Sequence, residues 1–359
     1  MSLKARYINQ TLKFKIPAGT SRGVLTEKEC WFIIVQNEND PKNIGVGECG
    51  MFRGLSIDDR PDYESMLQKT CSRINEHNGN IQSEDMDQFP SIQFGVEQAL
   101  IDLSSGGNRV LFPSLFTEGR DSIDINGLIW MGDIENMRSQ IRSKIDSGFH
   151  CIKMKIGSLH FEEEINILSG IRKEYNANEL EIRVDANGAF KIEEAPNHLQ
   201  RLAELEIHSI EQPIKAGQPD EMAKLCRTSP VPIALDEELI GIPHDHRSKL
   251  LHRIKPDYII LKPSLIGGFR HCEDWIRLAD EINCGWWITS ALESNIGLSA
   301  IAQWAYTLKS SLPQGLGTGS LYTNNFPSPI RIENGKLFYD PNIPWELESI
   351  FSAPSNQFV

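Results

Sequence analysis

The chain has no Cys-x-x-Cys pair, no apolar run of membrane-spanning length and a deficit of positive charge. Its seven cysteines (Cys30, Cys49, Cys71, Cys151, Cys226, Cys272 and Cys284) are scattered and odd in number. That argues against a disulfide framework or a thiolate metal site and suits reduced thiols in a cytoplasmic protein. No stretch reaches the roughly 18 apolar residues of a spanning helix. The opening Met1-Ser2-Leu3-Lys4-Ala5-Arg6 mixes polar and apolar side chains, unlike the apolar core of a signal peptide. Lys and Arg number 36 against 49 Asp and Glu, a formal net charge of −13 over 359 residues. Phosphate binding draws on clustered basic side chains, so no nucleic-acid partner is expected. The expectation is a soluble cytoplasmic protein with a small-molecule ligand, no membrane association and no obligate protein partner.

What the chain does have is an interval. Lys155, Asp185, Glu211, Asp236 and Lys262 follow one another at spacings of 30, 26, 25 and 26 positions. Each closes a short apolar run rich in β-branched residues, such as Ile182 to Asp185, Ile207 to Glu211 and Tyr258 to Lys262. A strand, a helix and two loops need about this many residues, so the spacing is that of repeated βα units. Three carboxylates and two lysines in one phase point to a site at the C-terminal ends of parallel barrel strands.

The rest of the chain fits around that barrel. Residues 5–50 alternate apolar and polar positions and suggest an antiparallel sheet with one face exposed. Residues 56–105 are helical in character, with their best pattern from Ser91 to Leu103. Strands followed by helices indicate an α+β domain. Alternation of strands and helices begins at Ser122–Ile129 and passes through amphipathic helices such as Phe161–Tyr175 and Glu193–Leu205. It continues through Trp286–Ser290 to Gly315-Leu316-Gly317, giving eight strands. The expected fold is α/β, a modified TIM barrel of (β/α)7β type, with an N-terminal α+β capping domain over residues 1–120, a barrel over 121–325 and a segment over 326–359 that packs back on the capping domain. The loop Gly106–Asp121 is the expected junction.

Asp185, Glu211 and Asp236 on consecutive strands offer hard oxygen ligands of the kind Mg²⁺ prefers. Any one of them could instead cap the following helix. Three in register need a cation, since like charges at one mouth repel. Lys155 and Lys262, on strands two and six, face each other across the mouth. A lysine there can act as a base if burial and neighbouring positive charge lower its pKa. Lys153, two residues before Lys155 and on the same side of the strand, would supply such charge; the bland alternative is a solvated basic pair. Together these groups suit proton abstraction α to a carboxylate, where the enediolate needs electrostatic stabilisation. A non-catalytic barrel that merely binds Mg²⁺ and an acid, and a lysine Schiff-base aldolase, are competing readings. The glycines Gly315 to Gly319 could mark a dinucleotide loop, but they end the βα series instead of opening a βαβ unit. A carboxylate-holding turn suits them better.

Several segments carry a resemblance. Lys153-Met154-Lys155, Val184-Asp185-Ala186-Asn187-Gly188, Glu211-Gln212-Pro213, Asp236-Glu237, Lys262-Pro263-Ser264-Leu265-Ile266-Gly267-Gly268 and the capping Gly45-Val46-Gly47-Glu48 resemble the enolase superfamily, whose members pair a Lys or His base with Mg²⁺. Within it, Thr289 to Gly297, Gly315 to Gly319 and Arg183 are similar to the o-succinylbenzoate synthases of menaquinone biosynthesis. The resemblance implies Mg²⁺, or Mn²⁺ in its place, on Asp185, Glu211 and Asp236. It implies Lys155, Lys262 and Lys153 as the catalytic lysines and Ser290, Ser294, Gly317 and Arg183 as substrate contacts. The implied reaction is loss of water from 2-succinyl-6-hydroxy-2,4-cyclohexadiene-1-carboxylate. Phe52 and Arg53 would belong to a loop closing over the succinyl arm. An N-succinylamino acid racemase or dipeptide epimerase would keep the same five charged residues. Dipeptide epimerases, however, usually carry Asp-x-Asp on strand eight, where this chain has small residues.

Overall fold

The computed structural model describes residues 2–20, 23–81 and 86–353. Strands β1 (Leu3–Thr20), β2 (Gly23–Asn37) and β3 (Asp40–Cys49) form an antiparallel sheet in chain order. Helices α1 (Tyr63–His77) and α2 (Pro90–Ser104) cover one face, burying Leu67, Ile74, Ile92 and Ala99 against Trp31, Ile33 and Val35. Close approach of α2 to β3 depends on glycine, because a Cβ on Gly47 would run into the Gly95 carbonyl. The expectation of one exposed face is corrected. Phe32 and Ile34 on the other face pack against Leu292, Ile296, Tyr322, Phe326 and Ile350. The unbroken apolar run from Cys30 to Val35 is that of a strand buried on both sides.

After β4 (Ser122–Asp124), a parallel sheet runs in chain order through β5 (Gly127–Ile129), β6 (Cys151–Lys155), β7 (Glu181–Asp185), β8 (Ser209–Glu211), β9 (Ile233–Leu235), β10 (Tyr258–Leu261) and β11 (Gly285–Ile288). The helices between are α3 (Ile134–Asp146), α4 (Phe161–Glu174), α5 (Ala195–Ala203), α6 (Pro219–Thr228), α7 (His244–Ile254), the single turn α8 (Pro263–Ile266) and α9 (Gly268–Glu281), with α10 (Asn295–Thr307) after the last strand. Their local chemistry follows helix-end rules. Asp133 accepts a hydrogen bond from the Asn136 backbone to cap α3, while α4 carries three glutamates in its first turn and Arg172 and Lys173 in its last.

The eighth strand shrinks to Gln314 and Gly315, which bridge Ile125 on one side and Thr289 on the other and so close the barrel. Glycine is required at 315, since a Cβ there would strike Thr289 Oγ1. The expected first barrel strand, Ser122–Ile129, divides in two: β4 leaves the barrel and pairs with the tail hairpin β12 (Ile330–Glu333) and β13 (Lys336–Tyr339). The tail therefore does not lie wholly on the capping domain. Its hairpin extends β4, while Phe326 before the hairpin and Leu347 and Ile350 after it, the last in α11 (Glu348–Phe351), reach the N-terminal sheet.

Glu97 of α2 pins the cap to the barrel by accepting a hydrogen bond from Phe269 N at the start of α9, at 2.6 Å. Burial pushes its carboxyl up to about 7. A carboxyl whose folded pKa is raised contributes stability below its unfolded pKa, and that contribution is lost as pH rises through the folded value. Between pH 4.5 and 7 the protein should thus lose about 3 kcal/mol from this group. Glu97→Gln keeps the acceptor and removes the titration. Urea unfolding at pH 5 and pH 8 should show a smaller pH difference in the variant, and an unchanged difference would refute the assignment.

Candidate active site

β6 to β10 each deliver an ionisable side chain to the barrel mouth because successive residues alternate between the interior and the helix layer. Lys155, Asp185 and Glu211 end their strands, while Asp236 and Lys262 immediately follow theirs. Asp185, Glu211 and Asp236 are almost fully buried, at 0%, 2% and 3% exposure. Lys153 Nζ bridges Glu211 and Asp185, with Asp185 at 3.0 Å. Lys155 Nζ donates to Asp185 at 3.0 Å and to Asn187 Oδ1 at 2.7 Å. Lys262 Nζ pairs with Asp236 and lies 3.8 Å from Glu211 Oε1.

The electrostatics follow from this interleaving of three ammonium groups with three carboxylates. Burial pushes Glu211 well above the ordinary carboxylate range, and the charge on Asp185 adds to it. Asp185 and Asp236 are equally buried yet titrate low, because Lys153 and Lys155 beside the first and Lys262 beside the second outweigh desolvation. Burial disfavours the Lys153 and Lys262 ammonium groups, but the surrounding carboxylates hold both above the usual lysine range. Lys153 is therefore held between Asp185 and Glu211. Among the described residues no three His, Cys, Asp or Glu side chains are gathered at ion-holding distance. Glu211 Oε1 is nevertheless buried without a hydrogen-bond partner, a hard oxygen donor with its valence open.

A pocket opens above these charges. Lys153, Lys155 and Lys262 line it together with Leu128 of β5 and its flanking residues Asn126 and Trp130, and Phe52 and Leu55 cover it from the capping domain. Its far wall is Thr289 to Leu292 with Gly315, Gly317 and Thr318. Ser290 and Gly317 thus reach the pocket, and Ser290 Oγ hydrogen-bonds Thr318 Oγ1 at 2.6 Å. Arg53 does not reach it, being paired with Glu29 and Asp59.

Two expected substrate contacts lie elsewhere. Arg183 is one layer deeper in the barrel, stacked 4.3 Å from the Trp287 ring centre, and bonds Glu181 and the Pro313 carbonyl. Its two-residue offset from Asp185 keeps it inside but below the mouth. Ser294 caps α10, and its hydroxyl and backbone N–H both donate to the Glu48 carboxylate of β3. Ser294→Ala should cost about 2 kcal/mol of stability by removing a charge-assisted hydrogen bond. The Michaelis constant should stay within about twofold. A large change in that constant at intact stability would return Ser294 to the pocket.

Sequence reasoning assigned no role to Asn187, Trp130, Leu265 or Thr318, all of which line the pocket. For Asn187 a signal was present. Asn-Gly after an aspartate favours left-handed backbone, and Asn187 and Gly188 have φ of 44° and 76°. That turn brings the Asn187 side chain onto Lys155 and its backbone N–H onto Asp185 Oδ1 at 3.0 Å.

Comparison with known proteins agrees with this geometry. Residues 136–341 match the enolase C-terminal domain-like family. The chain is 44% identical to an o-succinylbenzoate synthase of Desulfotalea psychrophila, with 93% of this chain and 98% of that protein covered. The crystal structure of MenC from the same organism superposes with a TM-score of 0.83 at 42% identity, covering 94% of this chain and all of that one. A dipeptide epimerase from Cytophaga hutchinsonii, determined with Mg and a dipeptide, also gives a TM-score of 0.83, covering 99% of each chain. At 19% identity it attests the fold alone. The chain is an enzyme that belongs to the o-succinylbenzoate synthases of the enolase superfamily.

Proposed function

We propose that this enzyme removes water from 2-succinyl-6-hydroxy-2,4-cyclohexadiene-1-carboxylate to form 2-succinylbenzoate, a step of menaquinone biosynthesis, through a syn elimination run by Lys155. The observation that carries the reading is the placement of Lys155 and Lys262 on strands two and six of one pocket, above three buried carboxylates from strands three to five. As a free amine, Lys155 takes the proton α to the ring carboxylate. It then returns that proton to the departing hydroxyl on the same face. Asn187 and Asp185 hold its Nζ in place. Lys262 stands against the opposite face, where its ammonium stabilises the developing charge and attracts the ring π electrons. Aromatisation of the ring drives the step.

Asp185, Glu211 and Asp236 would hold a divalent ion, Mg²⁺ or Mn²⁺. Their hard oxygens and the open Glu211 Oε1 fit such a group. When bound, the ion supplies a positive centre for the substrate carboxylate and for the charge that collects there. A cytoplasmic setting accords with seven unpaired thiols. Among the described residues no helix is long and apolar enough to cross a membrane.

Substrate choice tests the reading. No acidic residue is among the described residues lining the pocket, so a substrate ammonium would enter without an anionic partner and lose several kcal/mol. The dehydration should exceed dipeptide epimerisation by about 100-fold or more in kcat/KM. An N-succinylamino acid, whose nitrogen is an uncharged amide, escapes this penalty, and its racemisation should only be slower than the dehydration. All three are to be measured with the same Mg²⁺ and pH. A faster epimerisation or racemisation would leave the barrel chemistry standing and overturn the reading of strands seven and eight.

A further inference from the structure

The pocket wall after β11 is held from outside the barrel. Lys28 lies on β2 of the capping sheet and is buried, 7% exposed. Its Nζ donates to two successive carbonyl oxygens, those of Ala291 and Leu292, each at 3.0 Å. Tyr322 Oη donates to the same Leu292 oxygen at 2.6 Å. Leu292 has φ of 61°, a left-handed conformation rare for a bulky residue, so this short stretch depends on its surroundings to keep its shape. Ala291 and Leu292 line the pocket. Lys28 lines a neighbouring hollow, with Met51, that shares Leu292 and Phe52 with the pocket.

Peptide planarity gives this arrangement a direction. In a trans peptide the N–H points opposite to the C=O of the same unit. A carbonyl of Ala291 drawn toward Lys28 therefore turns the Leu292 N–H away from Lys28 and toward the pocket. The ammonium also polarises the peptide unit it binds, which strengthens the opposite N–H as a donor. We propose that Lys28 is a positioning residue that acts through the Ala291–Leu292 peptide, aiming the Leu292 N–H at the remote carboxylate of the succinyl arm. The inference rests on the substrate assigned above and adds a device by which the capping sheet sets recognition of its second acid group.

The test compares two ligands on the Mg²⁺-loaded enzyme by calorimetry: 2-succinylbenzoate and its succinyl monomethyl ester, which lacks the remote charge. Lys28→Met keeps the stem and removes the donors. It should weaken 2-succinylbenzoate about tenfold and the ester less than twofold, and in turnover the loss should fall on KM with kcat nearly unchanged. Thermal melting establishes that the variant is folded. Should it fail to fold, Lys28→Gln, whose shorter neutral amide cannot hold both carbonyls, should show the same selectivity at about threefold. Equal weakening of both ligands, or none in a folded variant, overturns the inference and leaves the dehydration reading intact. A native enzyme that does not bind 2-succinylbenzoate at all overturns both.

Discussion

Chelation should bring turnover to background, a loss of about 10⁴-fold or more, and added Mg²⁺ should restore it. The reason lies in the charge count at the barrel mouth. With Lys155 a free amine, only Lys153 and Lys262 offset Asp185, Glu211 and Asp236, so no positive centre is left over for a substrate carboxylate that gains charge as its α-proton leaves. Several kcal/mol of transition-state stabilisation must come from elsewhere, and each 1.4 kcal/mol is tenfold in rate. Binding should also raise the melting temperature, since an ion that prefers the folded state stabilises it by mass action. Full activity in protein shown metal-free by elemental analysis would sink the assignment. Chelation is a cleaner probe than Asp185→Ala. That change leaves Lys153 and Lys155 buried with a lost partner, which costs about 3–5 kcal/mol, so inactivity of the variant would mix chemistry with folding.

The same charge pattern explains which parts of the protein could be read from sequence. Barrel strands are short and buried on both faces, so their ends repeat at a nearly fixed interval, and the five charged residues stood out against apolar flanks. Features that depend on distant partners left no such trace. Ser294 resembles a pocket residue by position, yet its hydroxyl belongs to Glu48, 246 residues earlier. Arg183 shares a strand face with Asp185, and only the depth of the barrel separates their roles. The eighth strand keeps two bridging residues and carries no hydrophobic pattern of its own. Ser122–Ile129 reads as one strand because nothing local announces that its first half pairs with a hairpin some 210 residues later. The buried run from Cys30 to Val35 is different: its continuous apolar character was visible, and alternation around it masked the meaning.

Lys155→Arg should be as inactive as Lys155→Ala, with both losing about 10³- to 10⁴-fold in kcat, toward the upper range for general acid–base catalysis. The pair separates charge from proton transfer. Guanidinium retains the positive charge and can still meet Asp185, but it stays protonated at any working pH and cannot accept the α-proton. Lys262→Ala should lose charge stabilisation on the opposite face while keeping the base, so its residual rate should stand above that of either Lys155 variant. A small primary amine offers a further check. Truncation to alanine opens room beside Asn187, and an added amine of suitable size can occupy it, so methylamine should recover part of the activity of Lys155→Ala. It should recover none for Lys155→Arg, whose side chain fills the space. Substrate with deuterium at the α-carbon should slow the native enzyme wherever proton removal limits turnover, and the same isotope should slow the amine-rescued variant. An active Lys155→Arg enzyme, or methylamine rescue of the Lys262→Ala variant in its stead, would move the base to another residue.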